Sequence, residues 1–385
     1  MDNLISDLQP EEKLLLILCR LSFTDEHKSK LIELLPELVN HDLFVWLANE
    51  HGIVSPVFHN LQQQGLSTLL PGNIKSSLQE LYLKSLARNT FLTGKFVELK
   101  NTLAEIGIEP VVLKGMALEH SVYGNAGLRQ MNDIDIYTED KNECLMAWNH
   151  LQARGYQARP LKSPLYNKIL PDFGKHLPDL YKDGVSFDLH YSLFENEYLV
   201  KSLAVSTEKT DLLIPDYDIH FLYLVKHLHD HELAGGSQLR LYLDLVQLML
   251  MPGEKTGAGH LMSLAGELDM VDILREKLYL LKMFWSVPVD DAVLDELSAV
   301  QKAKATDEFL AFLHKPKGNT GRHRGAIYRK TLRNIPTLRR KIIFILGDIF
   351  PSVSFMQTRY KTRTRTGACL YYPLRLSKLL LLLKR

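Results

Sequence analysis

Near residue 109 the apolar residues of this chain change their repeat, and that change limits the fold more than any other feature. Up to Ile106 they recur every three to four positions, the period of a helix with one buried stripe. Pro110-Val111-Val112-Leu113 is then a short apolar run closed by Lys114-Gly115, and Ile134 and Ile136 alternate with Asp133 and Asp135. Alternation is the period of a strand, whose side chains point to opposite faces in turn. Residues 177–181 and 185–191 flank Lys182-Asp183-Gly184, a hairpin signal. Residues 116–123 and 141–153 read as helices between the strands. The helical period also covers residues 11–21, 28–38, 42–50 and, with Asn73 as its N-cap, the stretch to Ile106. It returns over residues 218–231, 239–251, 261–268, 271–284 and 290–312. The expected organisation is a helical region over 1–80, an α/β core over 81–214, a helical domain over 215–314 and a loosely patterned tail over 315–385.

Composition removes several classes. With 46% hydrophobic and 24% charged residues, the 385-residue chain is neither globally disordered nor collagen-like. Its three cysteines, Cys19, Cys144 and Cys369, are odd in number and far apart, which fits a reducing compartment better than a disulfide scaffold. Residues 1–10 lack the basic start and apolar stretch of a signal peptide. The longer apolar runs, such as 342–346 and 379–383, fall well short of a membrane span. A cytoplasmic protein is expected.

The net charge of +1 hides a strong polarity. From Lys315 onward there are 18 Lys or Arg against one acid, Asp348, so the tail carries +17 and the rest of the chain −16. Such a tail is suited to phosphates, those of nucleic acid or of an anionic membrane surface, or to docking on its own acidic body. Residues 374–385 could form a basic amphipathic helix at the inner face of a membrane. Tyr360, Tyr371 and Tyr372 are placed to stack on bases instead.

The chemistry concentrates around the strands. Asp133 and Asp135 are two apart, so on a strand their carboxylates project together and repel unless a cation lies between them. Mg²⁺ takes oxygen ligands and is commonly held by one or two carboxylates and substrate phosphates. Asp188, within Phe187-Asp188-Leu189-His190, lies on a second expected strand. If the strands are neighbours, three carboxylates converge on a two-metal site suited to displacement at phosphorus.

The run Leu113-Lys114-Gly115-x-Ala117-Leu118, then Tyr123-Gly124, then Leu128-Arg129-x-x-x-Asp133-Ile134-Asp135 resembles the polymerase-β-type nucleotidyltransferase superfamily. It is similar in particular to an uncharacterised bacterial branch, as are Phe187-Asp188-Leu189-His190 and a helix bearing His before Arg240 and Asp244. The motif-bearing part spans about residues 82–250. The resemblance implies an α+β fold in which a small mixed-sheet core of nucleotidyltransferase type is flanked by helical regions. It implies transfer of an NMP group from a nucleoside triphosphate such as ATP to a hydroxyl of a protein, sugar, small molecule or RNA. Asp133 and Asp135 would bind both metals, Mg²⁺ or Mn²⁺. Asp188 would bind the one beside the acceptor hydroxyl. Gly115 would let backbone N–H groups approach the triphosphate, with Lys114 and Arg129 as phosphate contacts.

Met116 departs from the superfamily's usual Ser or second Gly, and motivates a second reading, a nucleotide-binding or scaffolding protein without transfer. His190 shares the face of Asp188, as a partner that orients it or as a general base in the nucleotide site. His227 and His231 are four apart on one helix, a spacing for zinc, for a phosphohydrolase site or for an ordinary helix end near Gly235-Gly236. Arg240 and Asp244, also four apart, read as a helix-surface ion pair.

Overall fold

The structure, a computed structural model of the chain, describes residues 8–169, 174–195, 198–208, 211–251, 257–316 and 324–377. Its fold is α+β, a seven-stranded mixed sheet with helices before and after it. The N-terminal helices are α1 (Pro10–Leu18), α2 (Asp25–Leu34), α3 (His41–Glu50), α4 (Val54–Gln63) and α5 (Gly72–Ala104). Thr24 and Asn40 cap α2 and α3 by accepting from His27 and Leu43 N–H groups. In α5 the cap is Pro71 instead of Asn73, and the 33-residue helix runs across residue 80 into the sheet region.

The strands are β1 (Val111–Val112), β2 (Ile134–Tyr137), β3 (Gln157–Ala158), β4 (Leu180–Lys182), β5 (Val185–His190), β6 (Ser202–Ser206) and β7 (Asp211–Pro215). Their order is β3-β4-β5-β2-β1-β7-β6. β2 runs antiparallel to β1 but parallel to β5, pairing Asp135 with Asp188 and Tyr137 with His190. The β4–β5 hairpin turns on Asp183 and Gly184 at φ +51° and +75°, the left-handed pair of a tight turn matched to strand twist. Pro178 helps hold β4 to three residues, shorter than the alternation suggested. The sequence pattern gives no clear signal for β6 and β7. Leu212 and Ile214 do alternate, but the exposed Ser202–Ser206 edge carries little apolar signal.

Between the strands lie α6 (Lys114–Leu118), extended by a wider turn over Glu119–Tyr123, and α7 (Lys141–Ala153). After them come α8 (Tyr217–Ala234), α9 (Leu239–Leu250), α10 (Ala258–Glu267), α11 (Val271–Trp285), α12 (Asp291–Leu294) and α13 (Ala299–His314). The helix expected over 290–312 breaks before Ser298, which caps α13 in a reciprocal arrangement with Gln301. The tail is more regular than its pattern suggested. It forms α14 (Arg324–Asn334), α15 (Leu338–Ile349), α16 (Val353–Tyr360) and α17 (Arg365–Cys369), with Pro336 and Pro351 in the gaps. Pro lacks the N–H and favours extended backbone before it, which separates these short helices.

The apolar residues collect in two clusters. One joins α1–α4 to α8–α13, from Leu14 and Phe44 to Tyr242, Trp285 and Phe309. The sequence reading separates these helices into regions 1–80 and 215–314, yet they share one core. The other cluster packs the C-terminal half of α5 and the face of α7 against the sheet. Among the described residues no helix is long and apolar enough to cross a membrane.

Candidate active site

The parallel β2–β5 pairing brings the expected acids together. Residues in register on parallel strands share a face, so Asp135 and Asp188 are neighbours and His190 lies two residues further along that face. β1 supplies the third element. Leu113 N–H donates to the Asp135 carbonyl at 3.0 Å, and the chain then turns sharply at Lys114, whose φ is +50°. That left-handed conformation is uncommon for a residue with a Cβ. It swings the ammonium back over the sheet, 2.6 Å from Asp135 Oδ1.

Asp135 is 3% exposed and accepts from both Lys114 Nζ and His190 Nε2, the latter at 3.0 Å. Burial alone would raise its pKa, but the Lys114 charge and the His190 hydrogen bond outweigh it and hold the carboxylate ionised. His190 is buried, which pulls its pKa down to about 4 against the opposing pull of Asp135. It is therefore neutral near pH 7 and donates from Nε2. It orients Asp135, whereas the sequence reading paired it with Asp188. Lys114 keeps its charge because the Asp135 carboxylate overcomes the cost of burial.

Asp188 is half-buried and accepts from Ser186 Oγ at 3.2 Å. Burial, then the charges of Asp135, Asp179 and Asp133, push its pKa up to about 7. Asp133, just before β2, is open to solvent on one side yet crowded by protein on the other. That crowding and then Asp135 raise its pKa as well. From above, α8 lays Tyr223 over Lys114, with the ammonium 6.0 Å from the ring centre, and His227 and His231 follow on the same helix face. Burial and the Lys114 charge hold His227 well below its usual pKa.

The donor set suits a divalent cation: three carboxylates crowd one another, and two have raised pKa values that a cation would lower. Among the described residues, however, no three His, Cys, Asp or Glu side chains are already gathered as a metal cluster. This holds equally for the His227–His231 segment. Lys114 supplies the positive charge at Asp135.

Arg129 is placed differently. Its guanidinium is 7% exposed and grips Asp244 through Nε at 3.2 Å and Nη2 at 2.7 Å, while Nη1 donates to the Gln130 carbonyl. Asp244 is fully buried and also accepts from Tyr123 Oη at 2.9 Å. The surface pair expected between Arg240 and Asp244 therefore does not form. Arg240 reaches the Gln130 carbonyl instead. Gly115 is needed where these groups meet: a Cβ there would stand 2.9 Å from Arg129 Nη1 and 2.9 Å from Met131 Cγ.

Residues 37–286 match the model of a family described as "Uncharacterised nucleotidyltransferase". The chain belongs to this nucleotidyltransferase family. The protein is accordingly a transferase of nucleotidyl groups. No curated protein and no solved structure matches it. The matched span covers the sheet, the acid-bearing strands and the helices from α3 to α11, and so includes every site residue named above.

The sequence reading gives no signal for two parts of the candidate site, Tyr223 and Asn89, and gives Asp244 the wrong partner. Tyr223 caps Lys114, Asp244 neutralises Arg129, and Asn89 on α5 donates to the Arg129 carbonyl at 2.8 Å and to Glu119. A signal existed for Asp244, the one acid in the apolar helix Leu239–Leu250. An acid on that apolar face asks for a buried partner. Tyr223 shares four-residue spacing with His227 and His231, but nothing local says that this face meets Lys114.

Proposed function

We propose that this nucleotidyltransferase moves an NMP group from a nucleoside triphosphate to a hydroxyl acceptor, with pyrophosphate leaving, and that Asp133, Asp135 and Asp188 hold Mg²⁺ or Mn²⁺. The observation that carries this reading is the in-register pairing of Asp135 with Asp188, with Asp133 two residues away. A divalent ion, when bound, supplies charge neutralisation at the triphosphate. The chain's own groups do the rest. Lys114 spends part of its ammonium on Asp135 and retains donors for phosphate oxygens. The Gly115 N–H lies beside it. Arg129, committed to Asp244, holds the turn that carries Gly115. Asp188 would hold the ion beside the acceptor hydroxyl, where its charge would favour loss of the hydroxyl proton.

The acceptor side is assigned to a cavity of about 580 Å³ walled by Arg159, Lys162, Tyr166, His176, Asp179 and Phe355. The His176 ring lies 5.3 Å from that of His190, and the Asp179 charge is one of those raising Asp188. That volume is typical of small-molecule sites, which favours a small-molecule acceptor over RNA or protein.

The test uses nucleoside triphosphates labelled at the α-phosphate, Mg²⁺ or Mn²⁺, and cell extract separated into small-molecule and macromolecular fractions. Label should enter the small-molecule fraction and drop at least a hundredfold with Asp133→Asn/Asp188→Asn. Label on macromolecules would redirect the acceptor assignment. Nucleotide binding without transfer to any fraction would favour the second reading, a binding module. The engagement of Asp135 by Lys114 and His190 is the observation behind that alternative.

A further inference from the structure

The α15 helix of the basic tail has two unlike faces. Its inward face is fixed to the body. Phe344 stacks on Tyr166, with ring centres 5.5 Å apart. Gly347 lies so close that a Cβ would collide with the same ring. Asp348 is buried among Tyr166 Oη, Lys162 and Arg375. These contacts set the rotation of the helix about its axis. The opposite face therefore cannot turn inward, and it presents Leu338, Ile342 and Leu346 at four-residue spacing. They are 75%, 49% and 40% exposed, and Phe350, 58% exposed, continues the line past the helix end.

Four large apolar side chains in one exposed row call for a covering surface. At 100° per residue, Arg339 borders the row on one side and Lys341 on the other. This helix belongs to a segment carrying +17. An apolar stripe bordered by cations is the pattern of a helix lying in a bilayer interface, apolar groups among the acyl chains and cations among anionic headgroups. Nucleic acid would satisfy the charges but leave the stripe exposed, and a second copy of the tail would be repelled by like charge.

We propose that the Leu338–Ile349 helix, continued by Phe350, docks this protein on an anionic lipid surface. The sequence reading placed a membrane helix at residues 374–385, of which 378–385 lie outside the described residues. The exposed stripe moves the contact to α15. Stripe and headgroup contacts act together, so binding needs anionic lipid and weakens with salt. The inference does not depend on the nucleotidyl-transfer reading.

The experiment is co-sedimentation of the full chain with phosphatidylcholine vesicles, with and without phosphatidylglycerol. Binding is expected only to the anionic vesicles. Ile342→Glu/Leu346→Glu should weaken it by roughly tenfold or more while leaving thermal unfolding unchanged, because both side chains are exposed. Ile342→Trp provides an independent readout, a blue shift of its emission when anionic vesicles are added. Unchanged binding by the double Glu variant would overturn the proposal and leave the contact to tail charge alone. Binding of single-stranded RNA with no vesicle binding would overturn it too.

Discussion

Asp188 carries the most informative charge in the molecule because its neighbours oppose its ionisation. Its folded pKa, about 7, lies above the ordinary carboxylate value. Such a group favours the folded state most below its unfolded pKa near 4, and that contribution is lost as pH rises through about 7. Asp188→Asn should therefore stabilise the metal-free protein at pH 8 by about 1–2 kcal/mol. The full shift would imply more, but water reaches the carboxyl and screens it. The gain should vanish near pH 4, which urea unfolding at the two pH values would show. Asp133, Asp135 and Asp188 could be picked out from two-residue alternation and a strand pattern. The Lys114 bond to Asp135 could not, since it depends on a left-handed turn and on β1 lying beside β2.

At the scale of elements, the Arg129–Asp244 pair ties the loop after α6 to α9, and both partners are buried. Removing one leaves a charge in a dry site, which costs about 3–5 kcal/mol. Arg129→Met should show that loss in chemical denaturation, and adding Asp244→Leu should recover much of it. A phosphate-binding Arg129 would instead lose nucleotide affinity with little change in stability, and the second substitution would rescue nothing. Four-residue spacing made Arg240 the natural partner of Asp244 along the helix. Tertiary packing chose Arg129, from 115 residues away, and engaged Arg240 at the Gln130 carbonyl instead.

Across the whole molecule, the two ends of the helical region hold each other. Arg20 donates to the Trp285 carbonyl at 2.9 Å and the Phe284 carbonyl at 2.8 Å. Phe309 packs among Tyr242, Phe284, Trp285 and Phe312 with ring centres 4.1–5.7 Å apart. Phe309→Ala should cost about 3–5 kcal/mol. Hydrogen exchange should then rise together in Pro10–Leu18 and Val271–Trp285. Loss confined to α11 and α13 would mean that the first helices form a separate unit.

Local pattern alone settles much of this protein. Helical and alternating periods mark most elements, Asp183-Gly184 marks a turn, and the acids at 133, 135 and 188 mark the candidate site, because each is a property of neighbours along the chain. Three things wait for the tertiary structure: the partner of each buried charge, the union of first and last helices in one core, and the face of α15 left uncovered. Each depends on contacts between distant segments, where burial makes an unpaired charge or an uncovered apolar face costly and so selects among partners that local sequence leaves equal.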